Sequence, residues 1–132
     1  SNQQVALFSH FREHHHSLHI DLVIGNHDVL KETDYENFRL VQHKDCFNIT
    51  PFCIAHDTIQ SDHFVIHGHV HPAITIKSKG NNQPSLKLCC FAQDERRMIL
   101  PAFGKFTGSH LIDAKDYTRL YVIAETSVIQ WK

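Results

Sequence analysis

The sequence predicts an α+β fold, helix first and strand-heavy afterwards, on three observations. Leu7, Phe8 and Phe11 recur at helical spacing near the start. Three short apolar runs in the first half each end abruptly on polar residues. After Pro72, β-branched and aromatic residues dominate between turn signals. Elements of these kinds pack as a two-sheet β-sandwich with helices on the outside. With 132 residues, 42% hydrophobic and 20% charged, the chain can bury a core of its own as one globular domain.

Taken in order, Gln4 to Ser17 reads as an amphipathic helix that ends in His14, His15 and His16. Consecutive histidines on a helix point in different directions and cannot chelate one ion together. A solvated helix end, favoured near the C-terminal dipole, accounts for them. Ile20 to Ile24 is an apolar run stopped by Gly25-Asn26, a buried strand entering a tight turn. Residues 31 to 50 are polar and irregular, with one strand expected around Arg39 to Gln42. Pro51 to Ala55 and Phe64 to Ile66 are further buried strands. Ala73 to Lys79 and Leu86 to Ala92 flank Gly80-Asn81-Asn82-Gln83-Pro84, a hairpin turn. Arg97 to Leu100, Arg119 to Ala124 and Val128 to Trp131 complete the strands.

Several function classes fall away. The 13 Lys and Arg nearly cancel the 14 Asp and Glu, so nothing points to wholesale capture of nucleic acid. No segment approaches the roughly 20 apolar residues of a membrane span, and the first residues do not have the layout of a signal peptide. Cys46, Cys53, Cys89 and Cys90 form no Cys-x-x-Cys pair, and the adjacent Cys89 and Cys90 face opposite sides of a strand. A reducing, cytoplasmic setting is therefore expected.

Histidine is the abnormal number, at 13. Ile20 to Ile24 leads to Asn26-His27-Asp28, Phe52 to Ala55 to His56-Asp57, and Phe64 to Ile66 to His67-Gly68-His69-Val70-His71. Metal-capable side chains at successive strand ends are what a site at one sheet edge requires. In an extended segment His69 and His71 project on the same face, and Gly68 lets the backbone come close. Asn26 offers oxygen and the imidazoles nitrogen, a mixture suited to Mn²⁺, Fe or Zn²⁺ rather than Ca²⁺. His10, His19, His43, His63 and His110 lack this context and read as structural or solvated.

Gly25-Asn26-His27-Asp28 followed by Gly68-His69-Val70-His71 resembles the third and last motifs of calcineurin-like metallophosphoesterases, with His56 where that superfamily has its intervening metal histidine. Gly68 to Ala73, Leu88-Cys89-Cys90-Phe91 and Leu100 to Gly108 are similar to the bacterial DNA-ligase-associated branch, described as DNA damage response phosphoesterases or endonucleases. The resemblance implies two divalent ions, Mn²⁺ foremost, acting on a phosphodiester of DNA or RNA through an activated water. It places Asn26, His56 and His69 on one ion and His71 on the other. His27 would stand beside the leaving oxygen as general acid or stabilising cation, with Asp28 orienting it. Association with a DNA ligase and a helicase is implied in the same way.

The superfamily's opening motifs, Asp-x-His and Gly-Asp, do not occur in this sequence. The 132 residues are thus expected to be the C-terminal portion of a single metallophosphoesterase domain, missing its N-terminal strands and inactive alone. An apolar face uncovered beside Leu22, Val23 and Ile24 would then draw the chain into a dimer or higher oligomer. The alternative is a catalytically dead metal-binding or protein-interaction module on the same scaffold. Lys77, Lys79, Lys87, Arg96, Arg97 and Lys105 are candidate phosphate contacts, though basic hairpin residues also serve as a solvated face.

Overall fold

In the first 47 residues, aromatic packing decides where the helices lie. The computed structural model describes residues 2–28, 30–77, 85–104 and 107–132, and these divide into two compact units, 1–47 and 48–132. The expected hairpin turn at 80–84, Lys79 and Lys105 fall outside the described residues.

The first unit holds α1 (Asn2–His14), β1 (Ile20–Val23), α2 (Glu32–Asn37) and β2 (Leu40–His43), and β3 (Cys46–Ile49) begins in it. Phe8 stacks on Phe11 at 5.7 Å between centroids and meets Phe38 edge-on at 4.9 Å. Tyr35 and Phe38 are the buried apolar residues of this unit. Helix α1 stops at His14, short of Ser17, because the Arg12 guanidinium takes over the carbonyls that follow. Its Nη1 donates to the His15 oxygen at 3.0 Å and to the Leu18 oxygen at 2.9 Å, satisfying groups that a helix end leaves orphaned. His14, His15 and His16 lie exposed at that end.

Helix α2 stands where the sequence suggested irregular chain. Its first turn carries Glu32 and Asp34, the charge a helix N-terminus favours, and Asp34 Oδ2 accepts the Lys31 N–H at 3.3 Å. Arg39 then takes a left-handed conformation, φ 53°, and its N–H returns to the Glu36 oxygen at 2.9 Å. Such a conformation costs a residue with a Cβ about 1–2 kcal/mol. The strand expected from Arg39 consequently starts at Leu40. Strands β1 and β2 pair in parallel, from Ile20↔Leu40 to Val23↔His43. Asp21 ties them further, taking His43 Nε2 at 2.7 Å and His19 Nε2 at 3.1 Å. Leu22, Val23 and Ile24 are half-buried.

The second unit contains β4 (Phe52–Ala55), β5 (Phe64–His67), β6 (Pro72–Ile76), β7 (Leu86–Gln93), β8 (Arg97–Ile99), β9 (His110–Leu111), a 3-10 turn (Ala114–Asp116), β10 (Arg119–Ala124) and β11 (Ser127–Gln130). Hydrogen bonding draws a nine-stranded sheet in the order β11-β10-β7-β8-β5-β4-β3, with β6 paired to β7 and β9 to β6; β1 and β2 form a separate two-stranded sheet. The fold is α+β, as the sequence predicts. Strand β7 is the hinge of this pattern. Its first half pairs with β6 (Ala73↔Cys89), and its second with β10 (Leu120↔Ala92) and β8 (Ala92↔Ile99).

The core gathers around the same strand: Ile74, Cys90, Ala92, Ile99, Leu120 and Val122 are all buried. Burying a side chain such as Leu120 fully contributes about 1.5–3 kcal/mol. Burial, and after it the neighbouring Cys89, pushes the Cys90 thiol up to about 11. None of the four cysteines is in a disulfide. Among the described residues no helix is long and apolar enough to cross a membrane.

Candidate active site

Parallel pairing determines which residues share an edge. Strands β4 and β5 run side by side with Ala55 opposite His67, so His56 and Gly68 leave the sheet together. The Gly68 N–H donates to the His56 oxygen at 3.1 Å. Strand β8 runs parallel on the other side of β5, with Ile99 opposite His67, and the Leu100 N–H bonds the His67 oxygen at 2.7 Å. The carboxyl ends of three parallel strands thus lie in a row, where open sheets bind their ligands.

At that edge His56 Nε2 and His69 Nδ1 are 3.0 Å apart, the rings inclined at 70° with centroids 4.8 Å apart. Asp57 Oδ2 lies 3.9 Å from His69 Nε2, while its Oδ1 accepts the Thr58 N–H at 2.6 Å. Two imidazole nitrogens at this separation share one proton or turn to one cation. Ligands about 2.0–2.1 Å from a metal and at right angles to each other stand about 3 Å apart. The donor set therefore fits a cis pair on one divalent ion. Among the described residues, no group of three or more His, Cys, Asp and Glu is placed to hold a metal.

The loop that carries His69 differs from the extended segment expected. His69 has φ 59° and His71 φ 53°, both left-handed, and the Val70 N–H folds back to the Gly68 oxygen at 2.7 Å. Strand β5 ends at His67 and β6 begins at Pro72, and the left-handed residues between them interrupt the extended chain, so the two imidazoles do not project as alternate residues of a strand. Nor does Gly68 supply a close approach: a Cβ there would meet only the His56 oxygen, at an ordinary 3.8 Å. The strain sits on the histidines instead, at about 1–2 kcal/mol each, and such strain concentrates at functional sites. The His71 carbonyl accepts the His110 N–H at 2.9 Å, anchoring the loop to β9.

His67 is the residue that sequence reasoning passed over. It is 1% exposed, its Nδ1 donates to the Gly68 oxygen at 3.2 Å, and its Nε2 is buried with no hydrogen-bond partner. Desolvation holds its pKa below the usual value, against the opposing Gly68 bond. The available signal was continuity: the apolar alternation of Phe64 to Ile66 carries on into His67.

In the first unit, Asn26, His27 and Asp28 form the turn that leaves β1, and all three are exposed. Asp28 Oδ2 accepts the Gly25 N–H at 2.7 Å, and the Asp28 N–H donates to the Gly25 oxygen at 3.1 Å. The carboxylate closes its own turn.

A groove of about 920 Å³ opens in the second unit between residues 58–62, 94–97 and Thr118. Arg97 Nε holds Asp94 Oδ2 at 2.9 Å and its Nη1 donates to Thr58 Oγ1 at 2.9 Å; Arg96 Nη2 reaches the Ser61 oxygen at 3.3 Å. Burial works against the Asp94 carboxylate, but the Arg96 and Arg97 amides and the Arg97 guanidinium outweigh it and hold its pKa below the usual range. Of the other candidate phosphate contacts, Lys77 is exposed and Lys87 Nζ donates to the Ser109 oxygen at 2.8 Å.

No protein-family model and no curated protein matches the chain. Among solved structures it is similar to the nuclease MPE of Pseudomonas putida, with a TM-score of 0.77 and 29% identity over 96% of this chain. The chain spans 60% of the length of that nuclease.

Proposed function

We propose that this chain carries part of the active site of a metal-dependent phosphodiesterase, of the metallophosphoesterase type, that cuts nucleic acid. The His56–His69 pair at the carboxyl edge of β4 and β5 carries this reading. The likeness to a nuclease supports it. In this reading His56 and His69 hold one divalent ion, with Asn26 as a further ligand, and His71 serves a second. Mn²⁺ suits the mixed nitrogen and oxygen donors, with Fe or Zn²⁺ as alternatives. A divalent ion bound there supplies Lewis-acid polarisation of the phosphoryl oxygen and an activated water.

The chain's own residues do the rest. His69, left-handed in its backbone, holds its Nδ1 3.0 Å from His56 Nε2. Asp57 Oδ2 lies 3.9 Å from His69 Nε2 and places a carboxylate beside the ring nitrogen that does not meet His56. His27 delivers a proton to the leaving oxygen or steadies its charge. The ligands named are all neutral, so these 132 residues alone turn over weakly, without a carboxylate to offset two divalent charges.

Mn²⁺ binding to the purified chain tests the assignment. Wild type and His27→Ala should bind the ion, and His69→Ala should bind it at least about tenfold more weakly. Equal metal loss in both variants would reverse the division of roles. Robust, chelator-sensitive hydrolysis of a model phosphodiester by the 132-residue chain would overturn its incompleteness.

A further inference from the structure

A second polar cavity, of about 220 Å³, lies within the first unit between α1 and the end of α2. Arg12 and Arg39 line it, with Ser9, His16 and Asn37. Arg12 is only 7% exposed, and backbone carbonyls alone answer it, both at Nη1. Those bonds cap α1 but leave the charge uncompensated. Among the described residues no carboxylate lies within ion-pair distance of either arginine. Glu13 also borders the cavity, with its Oε2 3.9 Å from His10 Nδ1. A guanidinium has five N–H donors, so those on Nε and Nη2 of Arg12 remain for a ligand.

Arg39 supplies an independent observation. It closes α2 in the left-handed conformation, at the position that helices ordinarily give to glycine or asparagine. Capping the helix does not call for arginine there. The chain keeps a strained, charged residue at the rim of a cavity that already contains a buried, uncompensated cation. Strain that a smaller residue would relieve points to a role for the side chain.

We infer that this cavity binds a phosphate group between the Arg12 and Arg39 guanidiniums. Arginine forks match the oxygen geometry of phosphate and stay charged at any working pH. The volume lies below the roughly 300 Å³ at which pockets for drug-sized ligands begin, so it accommodates a phosphoryl group rather than a whole nucleotide. Resting on the nuclease reading, the group is a backbone phosphate of a nucleic-acid strand, and the cavity positions that strand without reading its sequence.

The test uses inorganic phosphate and a short single-stranded DNA, each with chelator and no divalent metal, followed by amide chemical shifts. Phosphate should saturably shift Ser9, Arg12 and Arg39, where equal ionic strength from chloride does not. Arg39→Gly should weaken phosphate binding at least tenfold while raising the Tm, because glycine relieves the backbone. Arg39→Lys, which keeps the charge, should retain most of the binding. On DNA, Arg39→Gly should lower the slope of log affinity against log salt by about 1. Shifts that chloride reproduces, or unchanged phosphate affinity in a folded Arg39→Gly, would overturn the site. Phosphate binding with an unchanged DNA slope would overturn the strand as its source. Phosphate-induced shifts in a chain that, assayed separately, binds no Mn²⁺ at His56 and His69 would uphold the cavity and reject the nuclease reading; Mn²⁺ binding without those shifts would do the reverse.

Discussion

At the carboxyl end of β4 and β5, His56 and His69 meet at 3.0 Å across 13 residues of sequence; at the carboxyl end of β1, Asp28 folds back on Gly25 at 2.7 Å, three residues away. Both clusters follow a short apolar strand in a parallel pair, and both looked alike as sequence. The first is assembled by the register of neighbouring strands, so its side chains stay available to each other. The second is a local turn, and its carboxylate is occupied with the backbone beside it. Packing follows the same division. Among the described residues the second unit buries ten apolar side chains, six of them clustered around β7 and β10, whereas the first buries Tyr35 and Phe38. In the second unit the pairing of neighbouring strands brings residues distant in sequence into contact, while in the first a carboxylate closes the turn that carries it.

Four substitutions sharpen or break this contrast. Leu120→Ala removes a fully buried side chain at the β7–β10 junction and should cost about 2–5 kcal/mol in urea unfolding. A loss under about 1 kcal/mol would mean that this core does not hold the edge on which His56 and His69 stand. His69→Gly should raise stability in thermal scans by about 1 kcal/mol, because glycine adopts φ 59° without penalty, while it removes the imidazole that meets His56. A fall in Tm would show that the imidazole, rather than the backbone, dominates the energetics of that loop. Asp28→Ala should cost about 0.5–1.5 kcal/mol through the lost Gly25 bond, with His27→Ala within about 0.5 kcal/mol of wild type. A thermally silent Asp28→Ala would detach the carboxylate from the turn and return it to the role of orienting His27.

The strands β1, β4 and β5 were legible because parallel strands are covered on both faces and read as continuous apolar runs. Helix α2 was not. Its six residues are polar apart from Tyr35, and only the Tyr35–Phe38 spacing and the acidic first turn mark it. Strand β9, two residues long, is defined by its partner β6 rather than by any pattern of its own. At the site, residue types and strand-end positions of His56 and His69 were readable. The left-handed backbone at His69 and His71 was not, since a Gly-His-Val-His segment offers glycine as the natural place for a turn and the chain bends elsewhere. His67 was named at the strand end but given no role, because polarity masked a position that alternation places inside.

Chain order, the α+β composition and the chemistry available at each strand end follow from the sequence itself, because apolar periodicity and residue type are local properties. Tertiary structure alone decided that His56 meets His69 and that Arg12 and Arg39 share a cavity. Each of those outcomes depends on register and on loop dihedrals. These are set by how whole elements pack, and no short stretch of sequence encodes them.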